Sequence, residues 1–385
     1  MLAIESDTLR AAIFAANLNA TVLNAPIDSP SFAPRHDLRA LLRTEVDVAL
    51  VTPPCQSFST ANPNRGRRFD IHSSASDART SLFFSALNWL DVLKPKLIIF
   101  ENVPNFFHRC LASPDGQLLG TVSNFVDSHL HEYIPYRTLV NMTDHGVPQR
   151  RIRSLGFYCR RDILKQPLQW TSGRHWLFPN NWKSTNSAAS TITDITAGAA
   201  LSDFPTLDAS SVGSARDPHD PLHFVPTYDP VRYRWVADIP PGSGRSAYEN
   251  SHCTQCGATN IPVDTMHCIF CGSPLLNRPH VKLPNGSYRL IHGFATSYRR
   301  IHPGFPAPTV TTASSHLGSS NTIHPFQNRV LSIRECARLQ TVPHFFDWTA
   351  ATDKRRYYAI RQILGEGIPS WFMYQLASRV KRLVT

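Results

Sequence analysis

The stretch VALVTPPCQSFST, residues 48–60, decides the fold prediction for this chain. It begins as an apolar run that is typical of a buried strand, and it then meets two prolines. These prolines remove two backbone donors and stiffen the exit from the strand. The next residue, Cys55, is therefore held by a rigid segment, and small polar residues follow it. The pattern predicts a strand whose carboxyl end presents a cysteine, which can be a core residue, a metal ligand or a nucleophile.

Similar apolar runs alternate with longer amphipathic stretches through residues 1–160. Strands are expected at 2–5, 20–25, 46–52, 96–103, 136–142 and 153–159, and helices at 7–17 and 77–94. Leucine, phenylalanine and alanine recur at helical spacing in the second helix. Continuous apolar strands that alternate with helices predict an α/β fold, a doubly wound and mainly parallel sheet covered on both faces. Chemistry in such sheets lies at the carboxyl ends of the strands, where Glu5, Cys55 and Glu101 occur.

Length and charge narrow the class of protein. A chain of 385 residues predicts one large and one smaller domain, and its net charge of +11 favours a polyanionic partner such as nucleic acid. No apolar run approaches the roughly 20 residues that cross a bilayer. The N-terminus, MLAIESDTLR, lacks the basic stretch and apolar core of a secretory signal. We therefore expect a cytoplasmic, nucleoid-associated protein without a membrane partner.

Composition changes along the chain and suggests three segments. Residues 161–304 are rich in Pro, Ser, Thr, Asn and His, with short irregular patterns, and are predicted to form a loop-rich second domain. Regular apolar patterns resume after about residue 305, and the chain is predicted to end in an amphipathic helix at 370–384. The predicted division is therefore a first domain at 1–160, a second at 161–304, and a segment at 305–385 that returns to the first.

Four of the eight cysteines fall within residues 251–274, in the motif CTQCGATNIPVDTMHCIFCG. Two C-x-x-C pairs separated by eleven residues have the spacing of a zinc ribbon, in which four thiolates form a closed tetrahedral site. Glycines directly after each pair suit the tight turns. His252 and His267 are adjacent, but four cysteines already satisfy the metal. The pattern predicts a structural Zn²⁺ bound by Cys253, Cys256, Cys268 and Cys271.

Further polar residues surround the predicted sheet edge. The strand IIFENV delivers Glu101, and the segment HGVPQRRIRSLGF carries Arg151 and Arg153 into another strand. Because alternate strand residues face the same way, the two arginines are expected to project together. The loop NPNRGRRFD after Cys55 is basic, and cationic neighbours lower the pKa of a thiol. A nucleophile, a carboxyl group and two arginines fit attack on an electron-poor ring.

PPCQSFS, ENV and QRRIR, in this order, resemble the core motifs of the DNA cytosine-5 methyltransferase family. AIESD, DARTSLF, APTVTT, NRVLSIRECARLQTVP and QILGEGIP are similar to its other motifs. The resemblance implies that Cys55 adds to C6 of a flipped-out cytosine and that Glu101 hydrogen-bonds N3 and the exocyclic amine. It further implies that Arg153 contacts O2 and that Arg151 supports the site or a phosphate. The loop at 57–76 would be a lid over the base, or else a solvated basic loop.

The resemblance also implies a methyl donor, S-adenosyl-L-methionine. Glu5 would take its ribose hydroxyls and Asp37 its adenine amine, while Pro53 and Leu82 would lie near it. The alternative interpretations are a surface carboxylate for Asp37 and a core leucine for Leu82. The 161–304 segment would be the target-recognition region, organised by the zinc ribbon, and 1–160 the catalytic domain.

One family motif is absent from the sequence. The family has a strand and a glycine-rich turn, F-x-G-x-G-G, about twenty residues before the acidic strand end, whereas Glu5 is the fifth residue here. Loss of that central strand would leave two open inner edges. A second polypeptide could supply it, the true start could lie upstream, or the chain could be a degenerate relative; intact catalytic residues favour the first two. Glu366 also departs from the family, which commonly has Asn there.

The expected function is therefore methylation of cytosine C5 in duplex DNA, in a restriction–modification or phage-type system. Two alternatives stay open at this point: a cytosine-5 methyltransferase of the tRNA type, and a non-catalytic DNA-binding relative.

Overall fold

The computed structural model describes residues 1–29, 44–54, 78–113, 117–164, 195–320 and 322–384, with backbone alone at 78–80. The strands are β1 Leu2–Glu5, β2 Thr21–Asn24, β3 Val48–Val51, β4 Leu97–Asn102, β5 Cys110–Ala112, β6 Leu118–Thr121, β7 Tyr133–Asn141, β8 Ile152–Arg160, β9 His280–Lys282 and β10 Tyr288–Leu290. The helices are α1 Thr8–Asn17, α2 Ala78–Leu93, α3 Val122–His129, α4 Ala197–Leu201, α5 Pro230–Ala237, α6 Ile333–Leu339, α7 Thr349–Thr352, α8 Tyr357–Glu366 and α9 Ser370–Val384. Each strand and helix predicted from the sequence is present, within a few residues of its predicted ends.

The strands of the first part of the chain form two principal sheets. β1 pairs with β2 in parallel, and a separate four-stranded sheet has the order β3-β4-β8-β7. Within the larger sheet β3 and β4 are parallel, whereas β8 is antiparallel to both of its neighbours. The expectation of a mainly parallel sheet is therefore wrong for the described strands, which form a mixed arrangement. The segment between β7 and β8 is too short for the crossover that parallel neighbours need.

β4 is the buried centre of the larger sheet. All six of its residues are buried, as expected for an apolar strand covered on both faces. On one face Phe100 packs with Phe83 of α2 and Val126 of α3 in a single apolar cluster. Gly156 of β8 lies so close to the Phe107 ring that a Cβ there would overlap it, so only glycine fits. These contacts hold the carboxyl end of β4 in a fixed place.

β1 and β3 are both edge strands, in contrast to β4. Among the described strands, β1 pairs only with β2 and β3 only with β4, so each has one open edge. Leu50 of β3 is 50% exposed, although its sequence predicts a buried strand. Open parallel edges with apolar side chains are costly and prone to pairing with another strand.

Contacts divide the chain into two compact units. The first comprises the described parts of Met1–His145, Ile152–Ser187 and Tyr374–Thr385, and the second those of Gly146–Arg151 and Ala188–Met373. Residues 305–373 thus group with 195–304, and the return to the first unit begins at Tyr374, not at 305 as the predicted division has it. Buried arginines explain the grouping. Arg300 donates hydrogen bonds to the carbonyl oxygens of Val236, Ile239 and His324.

The second unit is further held by a buried ion pair. Arg329 donates to both carboxylate oxygens of Glu335, at 2.6 and 2.7 Å, and neither side chain is exposed. Although burial opposes ionisation, the Arg329 guanidinium lowers the pKa of Glu335 to about 2. The same carboxylate forms a capping box with Ser332 at the start of α6.

Within the described ranges, no helix combines the length and the apolar character that spanning a membrane requires.

Candidate active site and cysteine cluster

The carboxyl ends of β3 and β4 bring the double-proline segment next to Glu101. Val51 lies opposite Phe100 in the parallel register, so the chain continues with Pro53 beside Asn102. The Asn102 Nδ2 group donates a hydrogen bond of 2.9 Å to the Pro53 carbonyl oxygen, while its Oδ1 accepts from Val103 N–H. Asn102 is buried. It therefore holds the backbone two residues before Cys55. The sequence prediction passed over this residue, although its place directly after Glu101 was a usable signal.

Glu101 and Arg153 form an ion pair at this edge. The Arg153 Nε lies 3.0 Å from Glu101 Oε1, and the two side chains are only 14% and 9% exposed. Antiparallel pairing explains the contact: Glu101 lies opposite Leu155, and Arg153, two residues away, shares that face. A largely desolvated carboxylate and guanidinium side by side offer hydrogen-bonding groups that suit the polar edge of a planar ring.

Arg151 has a different environment from the one predicted. It is fully buried, and its guanidinium donates to the carbonyl oxygens of Val310, Gly365 and Glu366, at 3.3, 2.9 and 3.0 Å. Because β8 begins at Ile152, strand alternation does not apply to it. The expectation that both arginines project together is wrong, and Arg151 is not presented to a phosphate. It supports the backbone of the QILGEGIP motif.

Gln149 and Gly365 complete this support. Gln149 Oε1 accepts from Val310 N–H at 2.9 Å, and its Nε2 donates to the Leu339 carbonyl oxygen. A Cβ at Gly365 would overlap the backbone of Thr311 and Thr312, so the first glycine of the motif is required. Glu366, where the family commonly has Asn, contributes its carbonyl group to Arg151. Sequence reasoning did not assign Gln149 a role.

Three of the four residues predicted to bind a methyl donor are described. Glu5 is half-buried at the end of β1, and its Oε1 accepts a hydrogen bond of 2.8 Å from Asp7 N–H. Its two carboxylate oxygens leave further acceptor capacity for the hydroxyls of a ribose. Pro53 and Leu82 are half-buried, and Leu82 lies outside the buried apolar cluster that contains Phe83. Cys55, Asp37 and the loop at 57–76 lie outside the described residues.

The four clustered cysteines converge as the sequence predicts. Their Sγ atoms all lie within 4.8 Å of one another, and the Cys253–Cys271 and Cys256–Cys268 distances are both 3.7 Å. Thiols this far apart are not disulfides. Four sulfurs at the usual Zn–S distance of a tetrahedral site would be about 3.8 Å apart, so the set fits zinc. His252 instead pairs with Asp238 at 3.1 Å.

Backbone turns aim these thiols inward. Gly257 N–H donates to the Cys253 carbonyl oxygen at 2.9 Å, and Gly272 N–H donates to that of Cys268 at 2.8 Å. Both glycines have positive φ, at 74° and 73°, which glycine adopts without strain. Hydrogen bonds from the Ser273 hydroxyl and backbone lower the pKa of Cys271, whereas hydrogen bonding to Cys271 raises the pKa of Cys256. A thiolate is the form that binds a metal.

Known proteins with similar sequences or folds include several methyltransferases. The chain is 26% identical to the type II methyltransferase M1.HgaI of Avibacterium volantium, over 86% of this chain and 78% of that protein. It is also 26% identical to the type II methyltransferase M.DdeI of Desulfomicrobium norvegicum, over 99% and 82%. A DNMT2 variant from Spodoptera frugiperda has a similar fold, with a TM-score of 0.52 at 13% identity, over 98% of this chain and 91% of that one.

A family model described as C-5 cytosine-specific DNA methylase matches residues 1–382. The match spans the sheet edge with Glu101 and Arg153, the QRRIR segment and the cysteine cluster. With the geometry above, it shows that this chain belongs to the C-5 cytosine-specific DNA methylase family and is a DNA (cytosine-5)-methyltransferase.

Proposed function

We propose that the chain methylates C5 of a cytosine flipped out of duplex DNA, as in a restriction–modification or phage-type system, through a covalent bond to Cys55. The single observation that carries this proposal is the Glu101–Arg153 pair beside the Asn102–Pro53 hydrogen bond. It puts a polar, largely desolvated pair of side chains at the same strand ends as the segment that leads to Cys55.

The pair has a defined role in this chemistry. C5 of cytosine is a poor nucleophile until a thiolate adds to C6, which makes C5 the carbon of an enamine. A proton shared between Glu101 and N3 neutralises the negative charge that develops at N3 when the thiolate adds, the Glu101 carboxyl group also accepts from the exocyclic amine, and Arg153 donates to O2. Arg153 also fixes the Glu101 carboxylate through their 3.0 Å contact. After methyl transfer, loss of the C5 proton lets the Cys55 sulfur leave C6 and restores the ring.

S-adenosyl-L-methionine, when bound, supplies an electrophilic methyl group. Glu5 would hold its ribose hydroxyls, and half-buried Pro53 and Leu82 would contact it. Asp37 is proposed for the adenine amine from the sequence alone. These residues fit the donor because a carboxylate with spare acceptor capacity lies at a strand end.

The cysteine cluster is proposed to hold one structural Zn²⁺ through Cys253, Cys256, Cys268 and Cys271. A closed four-thiolate site has no open position for a substrate, so its role is to shape the target-recognition region.

The open edges of β1 and β3 lead to a further proposal about assembly. A strand that pairs with both would join the two sheets and satisfy the backbone groups that the described strands leave open at these edges. A second polypeptide or a further segment of the same polypeptide would supply it, together with the glycine-rich turn. The open edges support this proposal because apolar parallel edges in soluble proteins are normally covered.

The chemistry is tested by adduct formation. The chain, with a strand supplied for the open edges, is incubated with S-adenosyl-L-methionine and duplex DNA containing 5-fluorocytosine. This base carries fluorine in place of the C5 proton, so the elimination that releases the sulfur cannot occur. A covalent complex is expected by mass spectrometry for the unmodified protein and none for Cys55→Ser. Labelled methyl transfer to duplex DNA and to tRNA is measured in parallel. Full activity of Cys55→Ser, or transfer to tRNA alone, would contradict the proposal.

A further inference from the structure

The β9–β10 hairpin follows the cysteine cluster in the chain. β9 and β10 pair antiparallel, with Lys282 opposite Tyr288 and His280 opposite Leu290. The connection is a three-residue loop: Gly286 N–H donates to the Leu283 carbonyl oxygen and Leu283 N–H to that of Ser287, at 2.9 and 2.8 Å. Gly286 adopts the positive φ of 82° that this turn requires, and Pro284 restricts the backbone at its start.

The base of the hairpin is anchored by buried side chains. The His280 ring packs edge-on against Trp235 and Tyr288, with centroids 5.5 and 5.1 Å apart. Arg278, which is fully buried, donates to the carbonyl oxygens of Pro262 and Thr265, both at 2.6 Å. Those two carbonyls lie between the C-x-x-C pairs. The cysteine cluster and the hairpin are therefore joined through one guanidinium group.

The tip of the hairpin is polar, and its flanks are basic. Residues 284–287 are all exposed, as are Lys282 and Arg289 on opposite faces of the ribbon. Among the described residues, neither cation has a salt-bridge partner. The other three basic residues of 251–300 are not available to a partner, because Arg278 and Arg300 are buried and Arg299 pairs with Glu249. Lys282 and Arg289 therefore carry the exposed positive charge of this segment. The surroundings therefore favour a polyanion.

Asn285 at the tip is held in one orientation. Its Oδ1 accepts from Ser287 N–H at 3.1 Å and from the Ser287 hydroxyl at 2.7 Å. Because a backbone N–H can only donate, the oxygen of the amide must face Ser287. The Nδ2 group then faces solvent with two donors.

We infer that the β9–β10 hairpin enters the major groove of the target DNA and that Asn285 and Arg289 determine which bases flank the methylated cytosine. The major groove admits a two-stranded ribbon, and its base edges present the acceptors N7, O6 and O4 to side-chain donors. Lys282 and Arg289, on opposite faces, would meet the phosphates or base edges on either side. This inference rests on the proposed function only in taking duplex DNA as the substrate.

The test is enrichment of randomised duplex oligonucleotides by the immobilised full chain, followed by sequencing, which needs no methyl donor. The unmodified chain is expected to enrich one motif. Asn285→Asp keeps an oxygen that accepts both hydrogen bonds from Ser287 but replaces the outward donors with an acceptor, and it is expected to reduce the preference at one position about tenfold or more. Arg289→Gln is expected to reduce the preference at a neighbouring position.

Two control variants distinguish a failure of this inference from a failure of the proposed covalent mechanism. Arg232→Gln removes an exposed cation of the same unit and is expected to leave the motif unchanged. Cys55→Ser is expected to enrich the same motif, whether or not the covalent mechanism holds. The inference is overturned if the unmodified chain enriches no motif. It is equally overturned if Asn285→Asp and Arg289→Gln both enrich the unmodified chain's motif with the same preference.

Discussion

At the scale of the residue, the sheet buries the Glu101 carboxylate and places it beside a cation. Its carboxylate is 9% exposed and ion-paired with Arg153, which shares its face through antiparallel register. We predict that Glu101→Gln lowers kcat for methyl transfer about 10²- to 10³-fold, because an amide cannot share a proton with N3 and so cannot neutralise the charge that develops there. The measurement is steady-state transfer of a labelled methyl group to duplex DNA. Glu132→Gln is the matched control, because Glu132 forms a salt bridge to Lys94 in which both side chains are more than half exposed.

A purely structural role for Glu101 would give a different result. In that case Glu101→Gln would lower the melting temperature and leave kcat within a few-fold of the unmodified value. The proposed role of Glu101 in stabilising charge on the ring would then be wrong.

At the scale of the element, the proposed zinc can be tested at the cysteine cluster. Its four Sγ atoms lie within 4.8 Å, and its small apolar core contains only a few residues, such as Ile261 and Leu275. We predict one Zn²⁺ per chain by elemental mass spectrometry, and loss of that zinc in Cys268→Ser. Removal of zinc by a chelator should make residues 251–274 sensitive to protease, because so small a core cannot hold the turns alone. Cys110→Ser, at an exposed cysteine elsewhere, should retain the zinc. A zinc content near zero in the unmodified chain would refute the assignment.

At the scale of the whole molecule, the described strands β1–β4, β7 and β8 form a two-stranded and a four-stranded sheet in place of one continuous sheet. We predict that a fusion carrying the first strand and glycine-rich turn of a family relative raises the melting temperature by about 5–10 °C, because a strand buried on both edges adds several kcal/mol. The same fusion should strengthen S-adenosyl-L-methionine binding, measured by calorimetry. The control fusion carries two prolines within the strand, which prevent its pairing. Equal behaviour of the two fusions would sink the proposal.

The sequence by itself determined six strands and the helices at 7–17, 77–94 and 370–384, the family, and the convergence of the four cysteines. Strand and helix bounds followed from apolar periodicity, and the cysteine cluster followed from its spacing, because both depend on residues close together in the chain. Only the tertiary structure decided how distant segments meet. β8 pairs antiparallel with β4, Arg151 is buried against Gly365 while Arg153 pairs with Glu101, and Asn102 donates a hydrogen bond to Pro53. Each of these contacts joins segments about 50 or more residues apart. Register and burial settle such contacts, and neither is visible in a local pattern.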